Sequence, residues 1–125
     1  MRIKSTLLFM ALAVMLVCGV TVSVGYADEL SEIERLANQG DVDAQTLLGV
    51  MYYDGDGVEQ DDVKAAYWTG KAAEQGEAGA QYLLGVMYYN GQGVTQDKQK
   101  GCRLYRAAAD KNIQEALDLY IKDCQ

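Results

Sequence analysis

Few residues of this 125-residue chain have both the type and the spacing to do chemistry. Cys102 and Cys124 could cross-link or remain reactive thiols, but they stand too far apart in sequence for a Cys-x-x-Cys redox motif. Asp54-Gly55-Asp56-Gly57-Val58-Glu59 has the carboxylate spacing that opens a calcium loop. Such a loop also needs an oxygen ligand where Val58 sits, a glycine where Glu59 sits and a glutamate where Ala65 sits, so the pattern fails. Asp61-Asp62 could act as an acid pair, yet a helix start uses the same letters for capping and dipole compensation. The chain has no histidine, which removes His-based triads and His metal sites. Past Ala27 the only serine is Ser31, followed by Glu32-Ile33-Glu34, so the Ser-x-x-Lys pattern of penicillin enzymes is absent. No catalytic residue, metal or cofactor is assigned, and the chain is read as not an enzyme.

The beginning of the chain reads as an export signal, residues 1–27. Arg2 and Lys4 are followed by the apolar run Leu7 to Val20, and Gly25-Tyr26-Ala27 offers the small residues of a cleavage site before Asp28. Two alternatives stand beside it. The uncharged stretch Ser5 to Ala27 is long enough to be a membrane anchor. Cys18-Gly19 could accept a lipid, although Met15-Leu16-Val17 lacks the small residue such a site wants. Export places the chain in the periplasm or outside the cell, where the remaining pair, Cys102 and Cys124, would form a disulfide; two free thiols are the alternative.

Removing Arg2 and Lys4 takes the net charge from −7 to −9. The charge is uneven. Asp28 to Glu77 carries 13 acids against Arg35, Lys64 and Lys71, a net of −10, whereas Ala78 to Gln125 carries 5 acids against 6 bases. An acidic half repels nucleic acid and anionic lipid, and it favours a basic partner if it does more than keep the surface solvated.

The elements that must position these groups are helices. Glu29 to Asn38 has apolar residues at Leu30, Ile33, Leu36 and Ala37, one face of a helix. Gln39-Gly40-Asp41 ends it, and helices follow over 42–53, 62–75, 78–89, 98–111 and 113–122. Cys102 and Cys124 are centred on Ile113, where the turn between the last two helices falls, so antiparallel packing brings them together. The stretch Ala44 to Gly76 recurs as Ala80 to Asn112, 36 residues on. A repeat of that period means stacked supersecondary units, which are mostly interaction surfaces. Gly49 and Gly85 sit inside helices at a cost of about 1 kcal/mol each against alanine, which implies a close helix crossing. Gly55, Gly57, Gly91 and Gly93 suit a tight loop, and Asp61 and Asp97 stand where an N-cap is wanted.

The run Ala44-Gln45, Leu48-Gly49, Met51-Tyr52, Gly55, Gly57-Val58, Asp61, Lys64-Ala65, Trp68, Lys71-Ala72-Ala73 and Gly76 resembles the Sel1-like repeat, a relative of the tetratricopeptide repeat. In the second copy Ala65, Trp68 and Lys71 become Gly101, Leu104 and Ala107, which weakens its outer face and suggests a terminal, capping role for that unit. The resemblance implies an all-α fold, a short right-handed α/α superhelix of antiparallel helix pairs. It divides residues 28–125 into an N-terminal cap helix (28–40), repeat 1 (41–76), repeat 2 (77–112) and a C-terminal cap helix (113–125). It also implies an adaptor that binds a protein or peptide on its concave side, with disulfides clamping helix pairs in the cysteine-rich bacterial members.

The first helix of each pair lines that concave side in the fold so implied. Thr46, Val50 and Tyr53 share one face of the first copy, and Tyr82, Val86 and Tyr89 share it in the second. They form a tyrosine-bearing ridge suited to anchoring a partner, with packing between neighbouring helices as the plainer use of the same tyrosines. The function expected is that of an exported adaptor or scaffold. Alternatives are a periplasmic immunity protein against a toxin effector, or a weak penicillin or cell-wall hydrolase. No nucleic acid, and no membrane after signal cleavage, is expected as a partner, and the oligomeric state is not set by these features.

Overall fold

A computed structural model describes residues 23–125 of the chain. The expected signal, residues 1–27, therefore lies outside the described residues except for its last five. The described residues form six helices and no strands: α1 (Ser23–Asn38), α2 (Val42–Asp54), α3 (Asp62–Glu74), α4 (Ala78–Asn90), α5 (Lys98–Ala109) and α6 (Gln114–Cys124). The chain divides into two compact units between Ser31 and Glu32, and the repeat architecture belongs to the second, Glu32–Gln125. Helix α1 starts six residues before the Glu29 that apolar spacing picks out; Ser23 to Asp28 contain no proline to stop it.

Within the second unit each helix packs on its sequence neighbour, α2 on α3, α3 on α4, α4 on α5 and α5 on α6, while α2 also touches α4 directly. This is a short α/α solenoid of antiparallel pairs. Its core is made of small residues and a few large ones. Ala72, Ala73, Ala80 and Leu84 form a buried cluster against which Val42, Tyr88 and Leu104 pack. Leu48, Met87 and Tyr105 are fully buried.

The 36-residue register is kept down to single hydrogen bonds. Asp41, Asp61 and Asp97 cap α2, α3 and α5, accepting from the backbone N–H of Ala44, Lys64 and Lys100 at 2.8, 3.0 and 2.9 Å. Glu77 takes the Asp41 role before α4, accepting from Gly79 and Ala80. The ends of α1, α3 and α5 turn through Gly40, Gly76 and Asn112 at positive φ. Asparagine tolerates that conformation better than most residues with a side chain, which is why the third copy of the turn does without glycine. Behind each turn a side chain reaches back about one repeat: Gln75 donates to the Gly40 carbonyl at 3.1 Å, and Lys111 donates to that of Gly76.

The helix crossings explain the internal glycines. A Cβ on Gly49 would lie 2.3 Å from Thr69 Oγ1 and 3.1 Å from the Thr69 backbone nitrogen. A Cβ on Gly85 would lie 2.8 Å from the Tyr105 ring. In the loops Gly93 is the most constrained: φ is +66°, and a Cβ there would sit 2.0 Å from the Asp62 carbonyl oxygen. The loop between α4 and α5 is thereby laid against the start of α3.

Helix α6 starts 36 residues after α4 and continues the register. Ala116 is fully buried where Ala44 and Ala80 are buried. It then departs. Ile121 stands where α2 and α4 have Gly49 and Gly85, and Cys124 stands where they have Tyr52 and Tyr88. The face of α6 is therefore not shaped for an equally close crossing by another helix. Besides packing on α5, it is tied to it covalently: Cys102 and Cys124 are joined by a disulfide, with their Cα atoms 5.7 Å apart.

Candidate interaction surface

The six ridge residues fall at equivalent positions of α2 and α4. Thr46, Tyr53, Tyr82, Val86 and Tyr89 are half-buried, and Val50 is 39 % exposed. Thr46 spends its hydroxyl on its own helix, donating to the Val42 carbonyl at 2.8 Å. The Tyr53 hydroxyl lies 3.5 Å from Gln92 Oε1 in the next loop. The ridge is thus partly packed and partly open, and neither use of its tyrosines excludes the other.

The residue that organises the second half of the ridge is one that sequence reasoning missed. Tyr105 of α5 is 2 % exposed, with its ring 6.4 Å from that of Tyr82 and 6.0 Å from that of Tyr89. Burial pushes its phenol up to about 12, helped by the negative charge of Asp123 and by the phenols of Tyr82, Tyr89 and Tyr53. Tyr105 stands at the position of Thr69 in the first copy, whose buried hydroxyl has no partner. The exchange is coupled to another one turn earlier, where Ala65 becomes Gly101. A Cβ on Gly101 would lie 2.9 Å from both the Gly85 carbonyl oxygen and the Tyr89 nitrogen. Helix α5 loses a methyl group at the crossing and gains a phenol beside it. Comparing the two copies for such paired exchanges at i and i+4 would have exposed it. The Ala65 to Gly101 change belongs to a buried crossing rather than to a weakened outer face.

The remaining pattern residues hold the pairs. Gly55, Gly57, Gly91 and Gly93 all have positive φ in the loops between paired helices. Trp68 is half-buried and meets the exposed Tyr67 edge-on at 5.0 Å. Lys64 lies 5.0 Å over the Tyr52 ring, and its counterpart Lys100 lies 4.1 Å over the Tyr88 ring and donates to its hydroxyl. These contacts brace the pairs with cations drawn over aromatic faces.

The chemistry-bearing letters do not converge. Asp54, Asp56 and Glu59 are all exposed, and among the described residues no group of three His, Cys, Asp or Glu side chains gathers to hold a metal ion. Ser31 donates its hydroxyl to the Asp28 carbonyl of its own helix at 2.9 Å. Among the described residues no helix is long and apolar enough to cross a membrane.

A family model described as the Sel1 repeat matches residues 42–77 and 78–113. No curated protein matches the chain. Among solved structures the chain is similar to a protective antigen of uropathogenic Escherichia coli described as displaying an SLR fold. That match has 38 % identity and a TM-score of 0.67, and covers 72 % of this chain and 20 % of the other. A Sel1 repeat protein from Oxalobacter formigenes is similar at 39 % identity and a TM-score of 0.62, over 66 % of this chain and 34 % of the other. Cysteine rich protein B of Helicobacter pylori shares the fold at 21 % identity and a TM-score of 0.66, over 72 % of this chain and 68 % of the other. The chain spans about a fifth and a third of the lengths of the first two.

Proposed function

The chain belongs to the Sel1 repeat family, and from that membership we propose that it is an exported scaffold holding a protein or peptide on the face built by α2 and α4. Sel1 repeat proteins are in general scaffolds for protein–protein interaction. The observation that carries the reading is the state of the ridge. Tyr53, Tyr82 and Tyr89 are half-open around a buried Tyr105, while Val50 beside them is 39 % exposed. Tyrosines whose rings are already fixed by neighbours offer contact area at a low entropic cost, the property of interface anchors. The fixed letters of the repeat are consumed in crossings, caps and turns. The ridge letters of α2 and α4 lie outside that pattern and remain for recognition.

Export is supported by three features: the basic and apolar start of the sequence, the disulfide, which persists in oxidising compartments, and the likeness to a protein described as a protective antigen. Within the export reading the chain divides into the signal, 1–27, and the repeat domain, 28–125. The acidic half, residues 28–77, would steer a basic partner toward the stack.

A photo-crosslinking amino acid at Val50, with a second variant carrying it at the 56 % exposed Tyr67 of α3, tests the face. The reading expects a discrete adduct with a protein of the source cell from position 50 and none from position 67. Adducts from position 67 alone would move the binding surface to the opposite helices and reject it.

A further inference from the structure

Between the end of α4, the outer face of α5 and α6 lies a groove of about 480 Å³. Its walls carry Lys98, Arg103 and Arg106, set against a single acid, Asp123. Among the described residues the only ion pair is Glu32–Arg35, so none of the three cations makes an ion pair with another described residue. Two tyrosines complete the walls. Lys98 lies 5.2 Å over the ring of Tyr89, and Arg106 lies 6.0 Å over that of Tyr120. Aromatic faces thus fix two of the three cations over the groove without consuming their hydrogen-bonding capacity. Arg103 and Arg106 are three residues apart on α5, so both guanidinium groups project from neighbouring positions of one helix. Cys102 and Cys124 also line the groove, which makes the disulfide part of its construction.

Unpaired cations on fixed aromatic supports are a receptor for carboxylates, and guanidinium groups bind these with two parallel hydrogen bonds. We infer that this groove is a docking site for an acidic peptide segment of a partner protein, one whose carboxylates alternate with an aromatic or apolar residue. The carboxylates meet Arg103, Arg106 and Lys98, and the apolar residue lies between Tyr89 and Tyr120. The site shares Tyr89 with the α2 and α4 face but takes its three cations and its second tyrosine from α5 and α6, so it stands without that face. Its charge preference is the opposite of the acidic half's, so one chain can hold a basic and an acidic segment at two places. Because both cysteines line it, the groove binds fully only while α6 is tied to α5.

The test is fluorescence anisotropy with a labelled peptide of alternating glutamate and tyrosine, against the same peptide with glutamine for glutamate and with lysine for glutamate. The inference expects the glutamate peptide alone to bind, and R103E/R106E to weaken it about tenfold or more. Raising the salt to about 0.5 M should weaken it too, since exposed pairs are screened. K64E/K71E, two reversals on α3 away from the groove that match the double variant in net charge, should leave binding unchanged in a chain that circular dichroism shows folded, and show that the effect is not one of net charge. The C102S/C124S variant should bind less tightly while circular dichroism still reports a folded helical chain. Equal binding of the glutamate and glutamine peptides, no binding of either, or glutamate binding unmoved by R103E/R106E would overturn the inference. So would sedimentation showing self-association that R103E/R106E abolishes, since a second copy would then be the occupant. None of these failures touches the crosslink expected from position 50.

Discussion

Replacing Gly49 with alanine should destabilise the protein, although the same change in an open helix stabilises. Alanine gains about 1 kcal/mol over glycine in a helix interior. Here the added Cβ would meet Thr69 Oγ1 at 2.3 Å, the Thr69 nitrogen at 3.1 Å and its Cα at 3.3 Å. Thr69 is 1 % exposed and branched at Cβ, so it has no room to swing away. Helices α2 and α3 must therefore move apart along their crossing. Overpacking costs about 1–3 kcal/mol, and an approach of 2.3 Å belongs in the upper part of that range, about 2–3 kcal/mol, which leaves a net loss of about 1–2 kcal/mol after the propensity gain. For a domain of this size that lowers Tm by roughly 5–15 °C. Gly70 supplies the internal control. It lies in α3, and a Cβ there meets nothing within 4 Å. Gly70→Ala should raise stability by up to about 1 kcal/mol. Adding Thr69→Ala to Gly49→Ala should recover part of the loss, because it removes the Oγ1 contact and leaves the backbone contacts in place. Urea unfolding followed by helical circular dichroism and by the single Trp68 reads all three variants. A Gly49→Ala protein as stable as the wild type, or a gain matching that of Gly70→Ala, would refute the close-crossing argument.

Three further outcomes follow from the geometry. The Cys102–Cys124 bridge, with a sequence separation of 22, should contribute about 3 kcal/mol, so reduction should lower Tm; uptake of two alkyl groups by the chain from Asp28 onward without prior reduction, read by intact mass, would contradict the bridge. Asp97→Ala removes the oxygen that accepts from the Lys100 N–H and should cost about 1 kcal/mol in urea unfolding, with Asp97→Asn close to neutral. The Tyr105 phenol is raised to about 12, so its contribution is fully present below about pH 10, the ordinary tyrosine value, and is lost as pH rises toward 12. Relative to Tyr105→Phe, wild-type stability should fall by about 1–2 kcal/mol across that window in pH-dependent urea titrations, a range reduced for solvent screening; parallel curves would show that Tyr105 titrates normally.

What repeats in the letters was readable before any coordinates. Identical words 36 residues apart specify helix pairs, the crossing glycines and the capping aspartates, because each does the same local job twice. What repeats in function but not in letters was hidden. Gln75 and Lys111 both reach back to a turn carbonyl, yet one is neutral and the other charged. Asn112 closes the third turn where Gly40 and Gly76 close the first two. Tyr105 was hidden because its neighbours come from another helix: its burial depends on Tyr82 and Tyr89 and on the space that Gly101 and Gly85 leave. The groove was masked by summation. A net charge near zero for residues 78–125 averages the cations around the groove with acids placed elsewhere, such as Asp97, Asp110 and Glu115.

The central claim is that the letters of the repeat pattern keep the stack while the ridge letters of α2 and α4 that lie outside that pattern recognise a partner. It is tested most directly by amide chemical-shift mapping of the chain with the protein captured through position 50. The account predicts that the largest shifts fall on Thr46, Val50, Tyr53, Tyr82, Val86 and Tyr89. Shifts concentrated instead on the α3 side, around Val63 and Tyr67, would contradict it.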